Sequence, residues 1–340
     1  MRRVRMLGLC LVALFAMGAL AAGPALAKKA HIPGTLEGEW AQYKYCPVDN
    51  PEFMNPPETF DGGIEPEVWC FVGSTSGGKE GGSFTVGGVK TPLNKPVTLQ
   101  GGVVFYYNEL TEIGEGHVFP AEGAETLSSP ELTVPKGINL ITPAIQEAAD
   151  WPRSLVESFD YAKLHHEKKL FAKIVVAGGN TLYEEKDALS TENLLGRDGP
   201  AFTLPLRVIL TGPWLSSLGG GECTIGTEEH PVIQHLTSGV SAAPPPFEAN
   251  TQEGEVGELS FNKAFSNITI KNSKLVDSTW PVEVEAQGCG GEYESYVDAA
   301  MSKVLDLPAP AGSSVTVLKG TLGTGNANVV KHEAEFGTER

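Results

Sequence analysis

The sequence predicts a mainly β protein built of sandwich-like sheets, with two short covering helices. Two observations predict it. Apolar residues fall in short runs of strand length, and 40 glycines and 24 prolines in 340 residues supply turns at close intervals. The chain is long enough to bury a large core, either as one β unit or as two lobes. As two lobes it divides into 28–180, with a helical insert near 143–168, and 181–340, with a helix near 292–306.

The first element is not part of the fold. "MRRVRMLGLCLVALFAMGALAAGPALA" joins arginines to an apolar run and ends small-x-small at Ala25-Leu26-Ala27, the pattern of a secretory signal peptide cleaved after Ala27. Gly23-Pro24 breaks the run, which argues against a retained membrane helix. Cys10 would leave with the signal. Cleavage removes Arg2, Arg3 and Arg5, so the 25 basic residues fall to 22 against 42 acidic ones, and the charge of −17 becomes −20. Such a surface repels nucleic acid and anionic lipid. No later stretch is apolar and long enough to span a bilayer, so the mature chain is expected to be secreted, with no integral membrane segment.

Four cysteines then remain: Cys46, Cys70, Cys223 and Cys289. Outside the cell they are expected in disulfides, for which three connectivities exist. Proximity in sequence favours Cys46–Cys70 and Cys223–Cys289. Closing loops of 24 and 66 residues would stabilise the fold by about 3.5 and 4.4 kcal/mol in the chain-entropy account. No C-x-x-C spacing points to zinc.

From Ser83, "SFTVGGVKTPLNKPVTLQGGVVFYY" reads as strands punctuated by Gly-Gly, Thr-Pro and Lys-Pro turns. "ELTVPKGINLI", "KLFAKIVVAGG", "FTLPLRVILTG", "LSFNKAFSNITIKNSKLV" and "SSVTVLKGTLG" continue the pattern. Two stretches switch to helical spacing. After Trp151-Pro152, Leu155, Val156, Phe159 and Ala162 form one apolar stripe, and later Tyr293, Val297, Ala300 and Val304 align before Pro308. Both are expected to cover a sheet. "TSGVSAAPPPFEANTQEGEVGE" is a Pro-rich and then acidic connection.

The order "CPVDNPE", "CFVG", "GGSFTVG", "KTPLNKPVTLQGG", "CTIGTEEHPVIQHLTSG", "GCGG" and "LDLPAPAGSSVTVLKGTL", running from Cys46 to Leu322, resembles a family of uncharacterised secreted β proteins of actinobacteria. The resemblance implies an all-β exported protein with disulfides. It implies no reaction, ligand or catalytic residue.

One stretch concentrates reactive side chains: "CTIGTEEHPVIQHL", residues 223–236. In a strand from Pro231, Val232, Gln234 and Leu236 face one way and Ile233 and His235 the other, while His230 stays in the preceding turn. Glu228, Glu229, His230 and His235 are therefore a candidate surface site for a weakly bound cation or for acid–base work. The competing reading is a bridged strand with a solvated turn.

Other chemistries lack their residues. "GSTSG" centres on Thr75 where a nucleophile elbow needs serine. "HHEKK" continues to Leu170 where a zinc protease needs histidine. No Asp-x-Asp-x-Asp-Gly loop suits calcium and no glycine motif opening a helix suits phosphate, so no cofactor is expected. Trp40, Tyr43, Tyr45, Trp69, Phe105, Tyr106 and Tyr107 would offer stacking surfaces for glycans if exposed. The expected function is thus a secreted or surface-associated, non-enzymatic β protein, structural or adhesive, whose partner is a cell-surface glycan or protein. The alternatives are an exported hydrolase of glycan or ester substrates, whose paired carboxylates carry no sequence signature, and a carbohydrate- or small-ligand-binding module.

Overall fold

The computed structural model describes residues 36–56, 66–78, 80–108, 113–178 and 199–336, without the side chains of 106–115 and 117. The expected signal peptide and the 180/181 boundary lie outside the described residues. The strands in chain order are β1 (Glu67–Thr75), β2 (Gly82–Val86), β3 (Val89–Pro92), β4 (Thr98–Asn108), β5 (Ile113–Pro120), β6 (Leu127–Ser128), β7 (Leu132–Thr133) and β8 (Phe171–Val176). They continue as β9 (Phe202–Thr211), β10 (Cys223–Ile225), β11 (Val232–Leu236), β12 (Val240–Ser241), β13 (Gln252–Glu253), β14 (Glu258–Phe261), β15 (Asn267–Asp277) and β16 (Val315–Asn326).

The fold is mainly β and sandwich-like. A nine-stranded antiparallel sheet runs β14-β15-β16-β1-β4-β5, with β2 and β3 extending from β16 and β6 from β4. A five-stranded sheet runs β10-β9-β8-β7, with β11 also on β9. Strand β16 joins the large sheet between β15 and β1, so strands from both halves of the sequence share it. The bridge between Thr237 and Val276 ties the end of β11 to β15 and so links the sheets.

Alternation along β1 separates two apolar layers. Trp69 and Phe71 point into the main core, with Leu204 and Leu206 of β9 and Leu236 of β11; Val68 and Cys70 point to the opposite face of the large sheet. That second face is covered by the N-terminal segment, through Trp40, Tyr43 and Phe53, and by the Ala327–Phe336 helix, through Ala327 and Val330. The Cys46–Cys70 bridge fastens the N-terminal cover to β1.

The two expected helices are present as Arg153–Leu164, preceded by Pro143–Ala148, and Glu294–Leu305. Leu155, Phe159 and Ala162 are buried as the stripe predicts, and Val297 and Ala300 likewise. The helical regions also hold each other: Trp151 Nε1 donates to the Tyr296 carbonyl at 3.0 Å, and Trp151 stacks on Trp214 with centroids 5.7 Å apart. Beyond these the described residues hold the short Pro51–Met54 and Pro213–Ser217 helices and a longer one, Ala327–Phe336, none of which the apolar spacing above marks. The signal of the longer one was there, because Asn326 Oδ1 accepts from the N–H groups of Asn328 and Val329 and the buried residues fall at 327, 330 and 334.

One glycine pair reads differently in three dimensions. Gly101-Gly102, expected as a turn, lies inside β4, because the ring of Phe53 rests on Gly102: a Cβ there would stand 2.5 Å from the ring. Gly325 of β16 plays the same part under Tyr43, at 2.8 Å. Both glycines are floors for aromatic rings of the N-terminal cover. Gly102→Val is therefore expected to lower stability by about 1–3 kcal/mol through overpacking, read as a reduced midpoint in urea denaturation; an unchanged midpoint would show that Phe53 does not need this floor.

Candidate functional site

Cysteine pairing anchors the candidate stretch. Cys223 opens β10 and is joined to Cys289, 66 residues on; Cys46 is joined to Cys70, 24 residues on. Strand β10 and Gln287 pair through Thr224, so the bridge and a backbone contact hold the same two segments together.

Beyond β10 the chain turns at 227–230. His230 donates its N–H to Thr227 Oγ1 at 2.9 Å, and Thr227 returns its N–H to the His230 carbonyl at 3.0 Å. The His230 ring and Glu229 are exposed. Glu228 is engaged on both oxygens: Oε1 pairs with Arg207 Nη2 at 2.7 Å, and Oε2 accepts from the N–H of Gly178. Its carboxylate thus joins the turn to β9 and to the end of β8.

Strand β11 alternates as its period dictates. Val232, Gln234 and Leu236 are buried, while Ile233 is half-buried and His235 exposed. Gln234 is fully buried and accepts a hydrogen bond from Thr316 Oγ1 at 2.5 Å, tying β11 to β16. His235 Nδ1 lies 3.4 Å from Thr203 Oγ1, but the closer contact is at its backbone, where the N–H donates to Asp277 Oδ2 at 2.6 Å. The other Asp277 oxygen accepts from the N–H and the hydroxyl of Thr279, each at 2.8 Å. Burial pushes the Asp277 carboxyl above its ordinary range, opposed by these hydrogen bonds and by the His235 ring. The carboxylate meets the main chain of His235 rather than its ring, so the pair is not arranged as a base and its orienting acid.

The structure therefore brings Glu228 to Arg207 and His235 to Asp277, and leaves His230 in the turn. Among the described residues no group of three or more His, Cys, Asp or Glu side chains converges to hold a metal ion. The aromatic side chains considered for glycan stacking are largely interior: Trp40, Tyr43 and Trp69 are buried, and Tyr45 and Phe105 half-buried. The side chains of Tyr106 and Tyr107 lie outside the described residues. An exposed aromatic pair lies elsewhere, in the β14–β15 turn, where Phe261 is 37% and Phe265 46% exposed with ring centroids 5.6 Å apart. Phe265 holds a left-handed φ of 54°, uncommon for a bulky residue. Asn262 secures that turn, its Oδ1 accepting from the N–H groups of Ser266 and Asn267.

Asp298 was also unmarked in the sequence. It sits on the Glu294–Leu305 helix and accepts the N–H of Cys289 at 2.8 Å, nine residues away. Burial lifts its carboxyl from 3.8 to about 6; the N–H groups of Cys289 and Gly288 pull the other way, and Glu294 and Glu285 add to the rise. Comparison of the chain with protein-family models, curated proteins and solved structures gives no match.

The folded state holds the Asp298 proton more tightly than the unfolded chain does. Its stabilisation is complete below about pH 3.8 and is lost as pH rises through about 6. Asp298→Asn keeps an acceptor for the Cys289 N–H and removes the buried charge. Relative to the parent protein, its stability is expected to rise between pH 4 and 7, measured as the difference in urea midpoint at the two ends. A constant difference would mean that this carboxyl does not change its protonation on unfolding.

Proposed function

We propose that the chain is exported, loses residues 1–27, and acts outside the cell as a non-enzymatic β protein, structural or adhesive, with a cell-surface glycan or protein as its partner. The observation that carries this reading is the use made of the carboxylates around the candidate stretch. Glu228, Asp277 and Asp298 each accept backbone N–H groups, from Gly178, from His235 and Thr279, and from Cys289. A carboxylate held this way braces loops and strand ends. A general base instead needs a lone pair aimed at a substrate proton.

Two disulfides suit an oxidising compartment. Among the described residues no helix is long and apolar enough to cross a membrane. The exposed Phe261–Phe265 pair, held on a turn fixed by Asn262, is the contact surface this reading assigns to adhesion.

The test uses the oxidised protein secreted from its full-length gene. It is expected to begin at Lys28, to be retained by envelopes of the producing cells, to lose most of that retention as the Phe261→Ser/Phe265→Ser double variant, and to turn over no chromogenic ester or glycoside. Hydrolysis abolished by His235→Ala or Glu228→Gln would sink the reading in favour of an enzyme. Equal retention of the double variant would remove the aromatic pair from it.

A further inference from the structure

Between the two sheets lies a cavity of about 70 Å³. Leu204 of β9, Leu236 of β11 and Leu275 of β15 form its buried walls. Leu99 of β4 and Leu318 and Leu322 of β16 also line it, yet stay half-buried although they pack against the main core. Apolar side chains of an interior layer remain partly accessible when the space beside them is unfilled and opens outward, so the cavity closes at the small sheet and opens past these three leucines.

Its origin is local. On the inward face of β1 the series Trp69, Phe71, Gly73, Thr75 contributes no side chain at Gly73, and Leu322 leans over the gap: a Cβ on Gly73 would stand 2.8 Å from Leu322 Cδ2. Three of the polar side chains at the wall already hold hydrogen bonds elsewhere. Thr75 Oγ1 accepts from the Val97 N–H, Ser74 pairs with Thr98, and Ser273 donates to the Glu255 carbonyl. A bound water needs two to four polar partners, and an apolar cavity without them stays dry and takes apolar guests.

Size narrows the guest. At about 70 Å³ the space is close to half that of a dry engineered cavity of roughly 150 Å³ that admits benzene. A ring that fills the larger cavity exceeds this volume, while the end of a narrow chain needs only part of it. We propose that this cavity is a binding site for the end of a single unbranched alkyl chain, seated against Leu204 and Leu236 and entering past Leu99, Leu318 and Leu322.

The test is calorimetric titration of the oxidised protein with 1-hexanol and with cyclohexanol, alongside thermal denaturation. The linear alcohol is expected to give a saturable heat and a raised Tm, with a Kd at least tenfold below that of the ring alcohol. Leu322→Phe fills the cavity and Gly73→Ala pushes the Leu322 methyl into it; each is expected to weaken 1-hexanol at least tenfold, and having two routes to the same filling guards against one variant failing to fold. Leu236→Ala enlarges the cavity and is expected to admit cyclohexanol. Phosphatidylcholine vesicles separate the sources of the chain: protein that stays in the supernatant with its alcohol identifies a free amphiphile, whereas pelleting of wild type but not of Leu322→Phe identifies a membrane lipid. Absence of a saturable heat for wild type, or undiminished binding by a folded filled variant, would overturn the proposal and leave the space a packing void.

Discussion

Strand β16 hydrogen-bonds along one edge to β15 and along the other to β2 and then β1, and almost every later feature of the molecule rests on that ladder. It arrives at the end of the sequence and completes a sheet whose other strands were laid down up to about 250 residues earlier. Its two faces do different work because a strand has a period of two. Leu318 and Leu322 point between the sheets, Thr316 reaches Gln234, and Gly323 and Gly325 leave room for Tyr43 on the far side. A slip of one residue would drive leucines against Tyr43 and glycines into the core.

The charged groups of the candidate region follow from where that ladder leaves backbone ends. Strand ends and glycine-rich turns expose N–H groups that water reaches poorly, and a buried donor without a partner costs about 1–3 kcal/mol. Asp277 answers this at the end of β15 and Asp298 beside Cys289. Each carboxylate is raised in pKa by burial and drawn back by the donors it satisfies. The disulfide at Cys223 and the carboxylate at Asp298 act on the same short loop, one through covalent restriction and the other through a hydrogen bond. Both uses are architectural, which is why the proposed function is a binding or structural one.

Much of this was legible in the chain. The alternation in "PVIQHL" placed Gln234 inward and His235 outward, and the stripe Leu155, Phe159, Ala162 marked a covering helix. Proximity chose the cysteine pairs. The errors share one cause. Gly101-Gly102 carries the local signature of a turn, yet it is a strand segment made smooth for Phe53, some fifty residues upstream. Trp40, Tyr43 and Trp69 look like a stacking surface until the fold buries them, the first two in the N-terminal cover fastened by the Cys46–Cys70 bridge and Trp69 in the main core between the sheets.

Composition and short-range periodicity determined the β class, the turns and the two anticipated helices, because those depend on residues within one strand or one helical turn of each other; the even number of cysteines beyond residue 27 and their grouping along the chain marked the two bridges. Only the tertiary structure decided which carboxylate meets which N–H, which glycine is a floor and where the interior stays unfilled. Those outcomes depend on partners distant in the chain: Tyr43 donates to Asn267 at 2.9 Å across 224 residues, and the Thr316 hydroxyl finds Gln234 across 82. Such meetings are set by the order in which strands pair, and linear sequence carries that order only through the packing it makes possible.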